Sequence, residues 1–345
     1  MSRLMSRNTI TVASALAVTG LLLLASLYIG DADMSASDVT SVLTGECSRP
    51  SWRFIVLESR LPQAVTAGLC GAALAVSGLL LQNVFHNPLA DPSVFGISSG
   101  AALGAAVVML LMQGSMATLG VAGLGAVVCA AFAGAMAVTL FIYMLSRVVS
   151  GNVLLLVVGL MTGYAASAVI TVLDYFATED GIRAYVMWGM GSFGGVALDE
   201  LWLMALPVAV GLAVAVLMVK QLNVLMLGDN YAAALGINVR AVRNRALVVA
   251  GFMTAVTTAF CGPVAFLGLA VPHVARLLLH TDDYRVLVPS VMIIGAATAM
   301  ACNMACSLPG TGSSLPVNAI TPLVGAPVVI FIVLRRGHGG GSYHD

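Results

Sequence analysis

The chain has 345 residues, 60% of them hydrophobic and 9% charged, with a formal net charge of zero and a mean hydropathy of +1.01. That much apolar surface excludes a soluble domain; the apolar runs are also far longer than the alternating strands of about ten residues that build a transmembrane barrel. Gly is abundant at 36 residues and aromatics are sparse at 6%, a composition suited to membrane helices packed closely through small side chains.

In chain order, ten apolar helices are predicted near 9–29, 62–85, 94–112, 118–145, 152–174, 200–219, 245–261, 264–280, 286–306 and 315–335. The first follows Arg3 and Arg7, as a signal peptide would. It lacks a small-residue cleavage site and is long enough to span, so a retained helix is expected. Arg and Lys set the orientation. With the N-terminus inside, the inner segments carry Arg3, Arg7, Arg147, Lys220, Arg240, Arg243, Arg245, Arg276, Arg285, Arg335 and Arg336. The outer segments carry only Arg49, Arg53, Arg60 and Arg183, and most acidic residues, from Asp31 to Glu200. Both termini are then cytoplasmic. The even helix count permits an inverted repeat of helices two to five and seven to ten, with a faint echo of 71–78 in 262–269.

The span interiors exclude several classes. No Asp, Glu, Lys or Arg lies between Asp91 and Arg147, or between Arg285 and Arg335. Coupled secondary carriers and charge-filtered channels place ionisable groups near the midplane, so neither is favoured. A P-loop needs Gly-Lys-Ser/Thr, and the one lysine, Lys220, follows Val219, so the chain holds no such motif. The cysteines Cys70, Cys129, Cys261, Cys302 and Cys306 read as small core residues. Cys47 falls in a polar loop, and two thiols at i, i+4 (Cys302, Cys306) do not make a metal site.

Four polar breaks stand out. Asn87-Pro88-Leu89-Ala90-Asp91-Pro92 interrupts two apolar runs; its prolines stop a helix, and Asn87 and Asp91 can bond free backbone groups. By itself it reads as a turn. The segment 220–245 is the longest inner connection. Within it Asp229 or Asn230 can cap a short helix, Ala232 to Leu235 propagate it and Gly236 end it, with Leu225, Leu227, Tyr231 and Leu235 as an exposed apolar patch. Such a helix could simply lie on lipid headgroups. Gly268-Leu269-Ala270-Val271-Pro272-His273-Val274-Ala275-Arg276 places a proline kink near an inner helix end. Trp188-Gly189-Met190-Gly191-Ser192-Phe193-Gly194-Gly195 follows an outer acidic loop and suits close packing.

These segments, in this order over residues 55–336, resemble the FecCD/BtuC-type permease subunits of ABC importers for ferric siderophores, haem and cobalamin. The resemblance rests on Asn87, Pro88, Asp91 and Pro92; on Pro272, His273 and Arg276; and on the pattern from Gly228 to Gly236. It implies an all-α integral membrane chain of about ten helices in a BtuC-like type II importer fold, with 1–345 as one permease domain. Residues 220–245 become the cytoplasmic coupling segment, in which Leu225, Leu227, Gly228, Asp229, Tyr231, Ala232, Leu235 and Gly236 dock on the ATPase. Ser150, Gly151 and Asn152 become the cytoplasmic gate. Arg60 becomes a docking point for a binding protein, with Arg53 or Arg49 as substitutes for arginines the family carries and this chain lacks. Here the chain departs from the family, with Gln63 after Arg60-Leu61-Pro62 and Ser307 where an arginine is expected.

The resemblance further implies a homodimer, two ABC ATPase subunits that hold ATP and Mg, a periplasmic or lipid-anchored binding protein, and a bacterial cytoplasmic (inner) membrane. The chain itself is expected to bind no cofactor or metal and no nucleic acid, and to catalyse nothing. The expected cargo is a ferric siderophore or haem, with cobalamin as the alternative. A secondary carrier and a membrane scaffold remain the readings from other classes.

Overall fold

The computed structural model describes residues 2–46, 49–111, 121–148, 152–307 and 314–339. Fourteen helices are used here to follow the chain: α1 (Ser2–Tyr28), α2 (Ala36–Thr44), α3 (Pro50–Val84), α4 (Ile97–Leu111), α5 (Val121–Leu145), α6 (Asn152–Phe176), α7 (Glu179–Gly189), α8 (Leu201–Leu217), α9 (Val219–Leu225), α10 (Asp229–Ala234), α11 (Val239–Cys261), α12 (Leu267–Leu279), α13 (Tyr284–Cys306) and α14 (Val317–Gly339). Six of them are long and apolar enough to cross a membrane: α1, α3, α5, α6, α11 and α13. The pair α8 and α9, bent by 52°, makes a seventh if counted as one span. Three shorter apolar helices lie at Ile97–Leu111, Leu267–Leu279 and Val317–Phe331. No β-strand occurs among the described residues, apart from an isolated bridge between Ser307 and Ser314.

The centre of the bundle is α3. Of its most apolar window 89% is buried, against 11% for α1, 17% for α6 and 28% for α5. It reaches this position through small residues. Gly71 meets Gly295 of α13 so closely that a β-carbon on Gly71 would lie 2.2 Å from the Gly295 carbonyl oxygen. Seven residues on, Gly78 meets Gly268 of α12 in the same way, at 1.9 Å. Between helices in lipid, such close backbone approach and its dispersion contacts supply the association that a hydrophobic driving force cannot. The outer helices carry large exposed apolar side chains, among them Leu124, Tyr164, Trp202 and Phe331, as lipid-facing or partner-facing surfaces do.

Helix ends depart from the predicted boundaries for local reasons. The helix predicted at 62–85 begins at Pro50, because a π-helical stretch over Phe54–Arg60 carries the chain into α3. The one predicted from 245 begins at Val239: Asn238 caps it, its side chain accepting from the Ala241 amide, so Arg240, Arg243 and Arg245 lie on the helix. Asp283 caps α13 in the same fashion. Buried Cys70, Cys261, Cys302 and Cys306 match the core reading; Cys129 does not, and lies exposed on α5. Cys47 and the predicted gate residues Ser150 and Gly151 lie outside the described residues. Asn152 opens α6.

Candidate functional site

Polar side chains knot together the ends of α3, α9, α11, α12 and α13, together with α10 and the 85–96 connection. Pro272 is the origin of one branch. Proline has no amide hydrogen, so it leaves the Gly268 carbonyl, four residues back, without its helical partner. Gln82 of α3 points its amide at that carbonyl and at that of Leu269, both at 3.4 Å, and Arg276 donates to its carbonyl oxygen at 2.9 Å. Arg276 also faces Asp282 at 3.5 Å. His273, buried, lies 2.8 Å from the Pro88 carbonyl oxygen. A carbonyl only accepts, so Nε2 carries the proton. The predicted motif residues at 87–92 and 272–276 are thus brought into direct contact by His273 and Pro88, while Gln82, which belongs to neither motif, ties Arg276 to the freed carbonyls.

The turn itself is built as its residues suggest. Asn87 Oδ1 accepts from the Leu89 amide at 2.9 Å, and Asp91 Oδ2 accepts from the Ser93 amide at 3.0 Å and from its hydroxyl. Asp91 is buried, and burial pushes its carboxyl above the ordinary carboxylate range, against the lowering effect of the two Ser93 bonds. His86 adopts a left-handed backbone at φ 47, which turns the chain out of α3.

The second branch holds the coupling segment. Asn83 donates to the Leu222 carbonyl at 3.2 Å, and Asn223 ties α9 to Asp283 and the Tyr284 amide, at 2.7 Å each. Gly228, at φ +102, then reverses the chain into α10, whose first residue is Asp229. The Asp229 carboxylate is gripped from two sides, by Arg243 at 3.0 Å and by His86 at 3.1 Å. Arg243 also donates to the Val84 carbonyl at 3.3 Å. Gly236, at φ +81, closes α10; the Gly236 amide donates to Ala233 and the Ile237 amide to Ala232.

Two expectations for this segment are corrected. Leu225 is fully buried, not part of an exposed patch, because it is the last residue of α9 on the side that packs into the bundle. Neither Asp229 nor Asn230 caps α10: the cap position is Gly228, and the Asp229 side chain is occupied by Arg243 and His86. Ala232 is buried on the inner face of α10. Leu227, Tyr231 and Leu235 are exposed, with Met226 beside them, forming an apolar ridge on a rigid base.

At the other end of the bundle the expected docking arginine is turned inward. Arg60 is buried, and its guanidinium donates to the carbonyls of Leu27 and Tyr28 at 2.9 and 3.1 Å, and to that of Ala32 at 2.6 Å. It satisfies carbonyls at and beyond the end of α1 that have no helical partner. Arg53 is exposed, and Arg49 stacks over Trp52 at 4.4 Å. The Trp188–Gly195 segment is held by Asn318 of α14, whose amide donates to the Gly189 and Pro263 carbonyls at 3.3 and 2.6 Å and whose oxygen accepts from the Ala265 amide at 3.2 Å. The Ser192 amide donates to Cys261 at 2.9 Å. Asn318 gives no sequence signal beyond being a polar residue near the start of an apolar helix. Gln63, the departure noted in the sequence, donates to Asn303 of α13 at 3.0 Å.

Among the described residues no three His, Cys, Asp or Glu side chains gather as metal ligands. The arrangement joins polar side chains to one another and to backbone carbonyls. It offers a stiff network that connects an exposed apolar ridge to the central helix, which suits the transmission of force more than bond chemistry.

Comparison with known proteins identifies the family. The model of the FecCD transport family matches residues 17–335. The vitamin B12 import system permease protein BtuC of Klebsiella pneumoniae subsp. pneumoniae is 36% identical over 298 residues, covering 86% of this chain and 87% of the relative. The protein of that name from Escherichia coli O139:H28 is 34% identical over 338 residues, 98% of this chain and 99% of the relative. A solved structure assigned to the metal-chelate type of ABC transporter, in an inward-facing conformation, superimposes with a TM-score of 0.80 over 94% of this chain and 98% of that one; at 24% identity this likeness speaks for the fold.

Proposed function

The chain belongs to the FecCD transport family, the permease subunits of ABC importers, and from that premise we propose that it moves a bulky metal chelate across a bacterial inner membrane, driven by separate ATPase subunits. The observation that carries the proposal is the ridge of Leu227, Tyr231 and Leu235, exposed on a helix whose first carboxylate is pinned by Arg243 and His86. An apolar ridge on a fixed base suits a groove on a partner, and the pin delivers the partner's movement to α3 and α11. Rigid-body motion of the ATPases then biases which end of the path is open.

In this reading the six long helices, the bent α8–α9 pair and the three shorter apolar helices are ten spans, with helices two to five and seven to ten as an inverted repeat. The basic end lies in the cytoplasm with both termini. Two copies of the chain surround the path, two ATPases bearing ATP and Mg bind the inner face, and a binding protein delivers the cargo outside, with Arg53 taking the place left by buried Arg60. Residues 150–152 are the inner gate. The cargo is a ferric siderophore or haem in the first reading. Cobalamin is the second, favoured by the names of the relatives at 34–36% identity.

The test is transport. The chain, reconstituted in liposomes with its ATPase and binding protein, is given labelled ferric siderophore, haem or cobalamin, with and without ATP. ATP-dependent uptake of one chelate, lost in an L227D/Y231D/L235D variant, supports the proposal and selects the cargo. Uptake indifferent to ATP overturns it in favour of a secondary carrier.

A further inference from the structure

An open cleft of about 640 Å3 lies between the end of α5 and the start of α11, lined by Tyr143, Arg147, Asn238, Arg240, Asn244 and Arg245, with Ala241 and Val248. Three of these side chains are arginines, all exposed, and no carboxylate is among them. Like charges brought together without a counter-charge repel one another, and each is kept solvated at some cost to stability. The cleft is nevertheless built. The Arg147 guanidinium lies over the Tyr143 ring at 4.7 Å and donates to its hydroxyl. Arg245 rests against Gln221 at 3.4 Å. Ser146 donates to Asn244 at 2.8 Å, fixing α5 against α11. Asn238 caps the start of the 23-residue α11, whose amide ends add positive potential to the same opening.

The apolar surroundings decide which anion fits. Leu140, Phe141 and Met144 are exposed on α5, with Val148 exposed just beyond its end, so an apolar stripe runs along the helix and past Arg147; Val248 is exposed on the α11 side. A free phosphate needs only the arginines. A molecule with an anionic head and a long apolar tail satisfies both the cleft and the stripe.

We infer that this cleft binds the phosphate-bearing headgroup of an anionic phospholipid, with an acyl chain laid along the Leu140–Val148 stripe. The site abuts the coupling segment: α10 and Gly236 immediately precede Asn238, and Arg243, between Arg240 and Arg245, holds Asp229. A bound lipid therefore neutralises the charge beside the clamp on α10.

The probe is phosphatidylglycerol carrying a fluorophore, titrated into the purified full-length chain in phosphatidylcholine nanodiscs. Each arginine near an anionic headgroup is expected to contribute roughly a fivefold factor, so R147Q/R240Q/R245Q should weaken binding about a hundredfold. The lysine triple R147K/R240K/R245K should retain most of the affinity, which separates lost charge from misfolding. R183Q, at the other end of the bundle, should bind as the unaltered chain does. Glycerol 3-phosphate, the headgroup without its tail, should not displace the lipid at millimolar concentration. Full displacement by glycerol 3-phosphate would overturn the lipid assignment in favour of a soluble anion. Equal phosphatidylglycerol binding by the unaltered chain and the glutamine triple would overturn the site. So would a glutamine triple that binds lipid normally but loses the ATPase, which would make the cleft a protein contact. The readout is lipid binding without transport, so it stands or falls apart from the importer reading.

Discussion

Substitution of Arg243 should loosen the coupling segment far more than substitution of its partner, and the geometry says by how much. Arg243 is largely buried, with 16% of its side chain exposed, and donates to the Asp229 carboxylate at 3.0 Å and to the Val84 carbonyl at 3.3 Å. Asp229 is 43% exposed, so water screens the pair, and the ion pair contributes about 0.5–1 kcal/mol and not the several that the distance alone suggests. D229N keeps an acceptor, still faced by His86, and should raise opening of α10 about threefold. R243A removes the pair and also leaves the Val84 carbonyl, on a fully buried residue, without this donor, at a further cost of about 1–2 kcal/mol. The sum, about 2 kcal/mol, is a rise of roughly thirtyfold. Hydrogen exchange of the Ala232, Leu235 and Ile237 amides, each bonded within the segment, reads this opening directly. Unchanged exchange in R243A, or equal increases in the two variants, would refute the claim that Arg243 joins α10 to α3 as well as to Asp229.

Three further expectations follow from the same network and core. G71A should lower the melting temperature sharply, because its β-carbon would meet the Gly295 carbonyl at 2.2 Å and overpacking costs about 1–3 kcal/mol even where side chains can yield, whereas G20A, with nothing within 4 Å, should leave melting unchanged. R60A should destabilise the chain and expose residues 29–35 to protease, since three carbonyls lose charged-donor bonds of about 1.5–3 kcal/mol each; a purely docking role for Arg60 predicts unchanged melting and a weaker binding-protein complex. Asp91 binds its proton more tightly in the folded chain than in the unfolded one, so its contribution to stability falls as pH rises from the ordinary carboxylate value, about 4, through the raised one. D91N should flatten that part of the melting-temperature profile, and an unchanged slope would place the titration elsewhere.

The parts of the site legible in the sequence are those whose chemistry is local. Pro88, Pro92 and Pro272 stop or alter helices wherever they stand, Gly228 and Gly236 supply positive φ, and the basic residues mark one end of the bundle. Gln82, Asn223 and Asn318 are not legible because a polar residue in or beside an apolar run does not name its partners, and theirs lie dozens to nearly two hundred residues away. Arg60 misled for a related reason. In sequence it resembles an outward arginine before Leu-Pro, but the carbonyls ending α1, 28 to 33 residues earlier, draw it inward. Leu225 was placed on the surface by its neighbours' pattern, which does not register the 52° bend that turns α9 against the bundle.

The central claim is that the Leu227–Tyr231–Leu235 ridge is where an ATPase grips this chain. Single cysteines at these three positions, in a full-length chain whose six native cysteines are replaced, can carry a thiol-reactive photo-crosslinker and be purified with the ATPase, with cysteine at exposed Leu124 as the control. The account predicts crosslinks to the ATPase from all three ridge positions and none from position 124. Co-purification of the ATPase without ridge crosslinks, or no association at all, would contradict it.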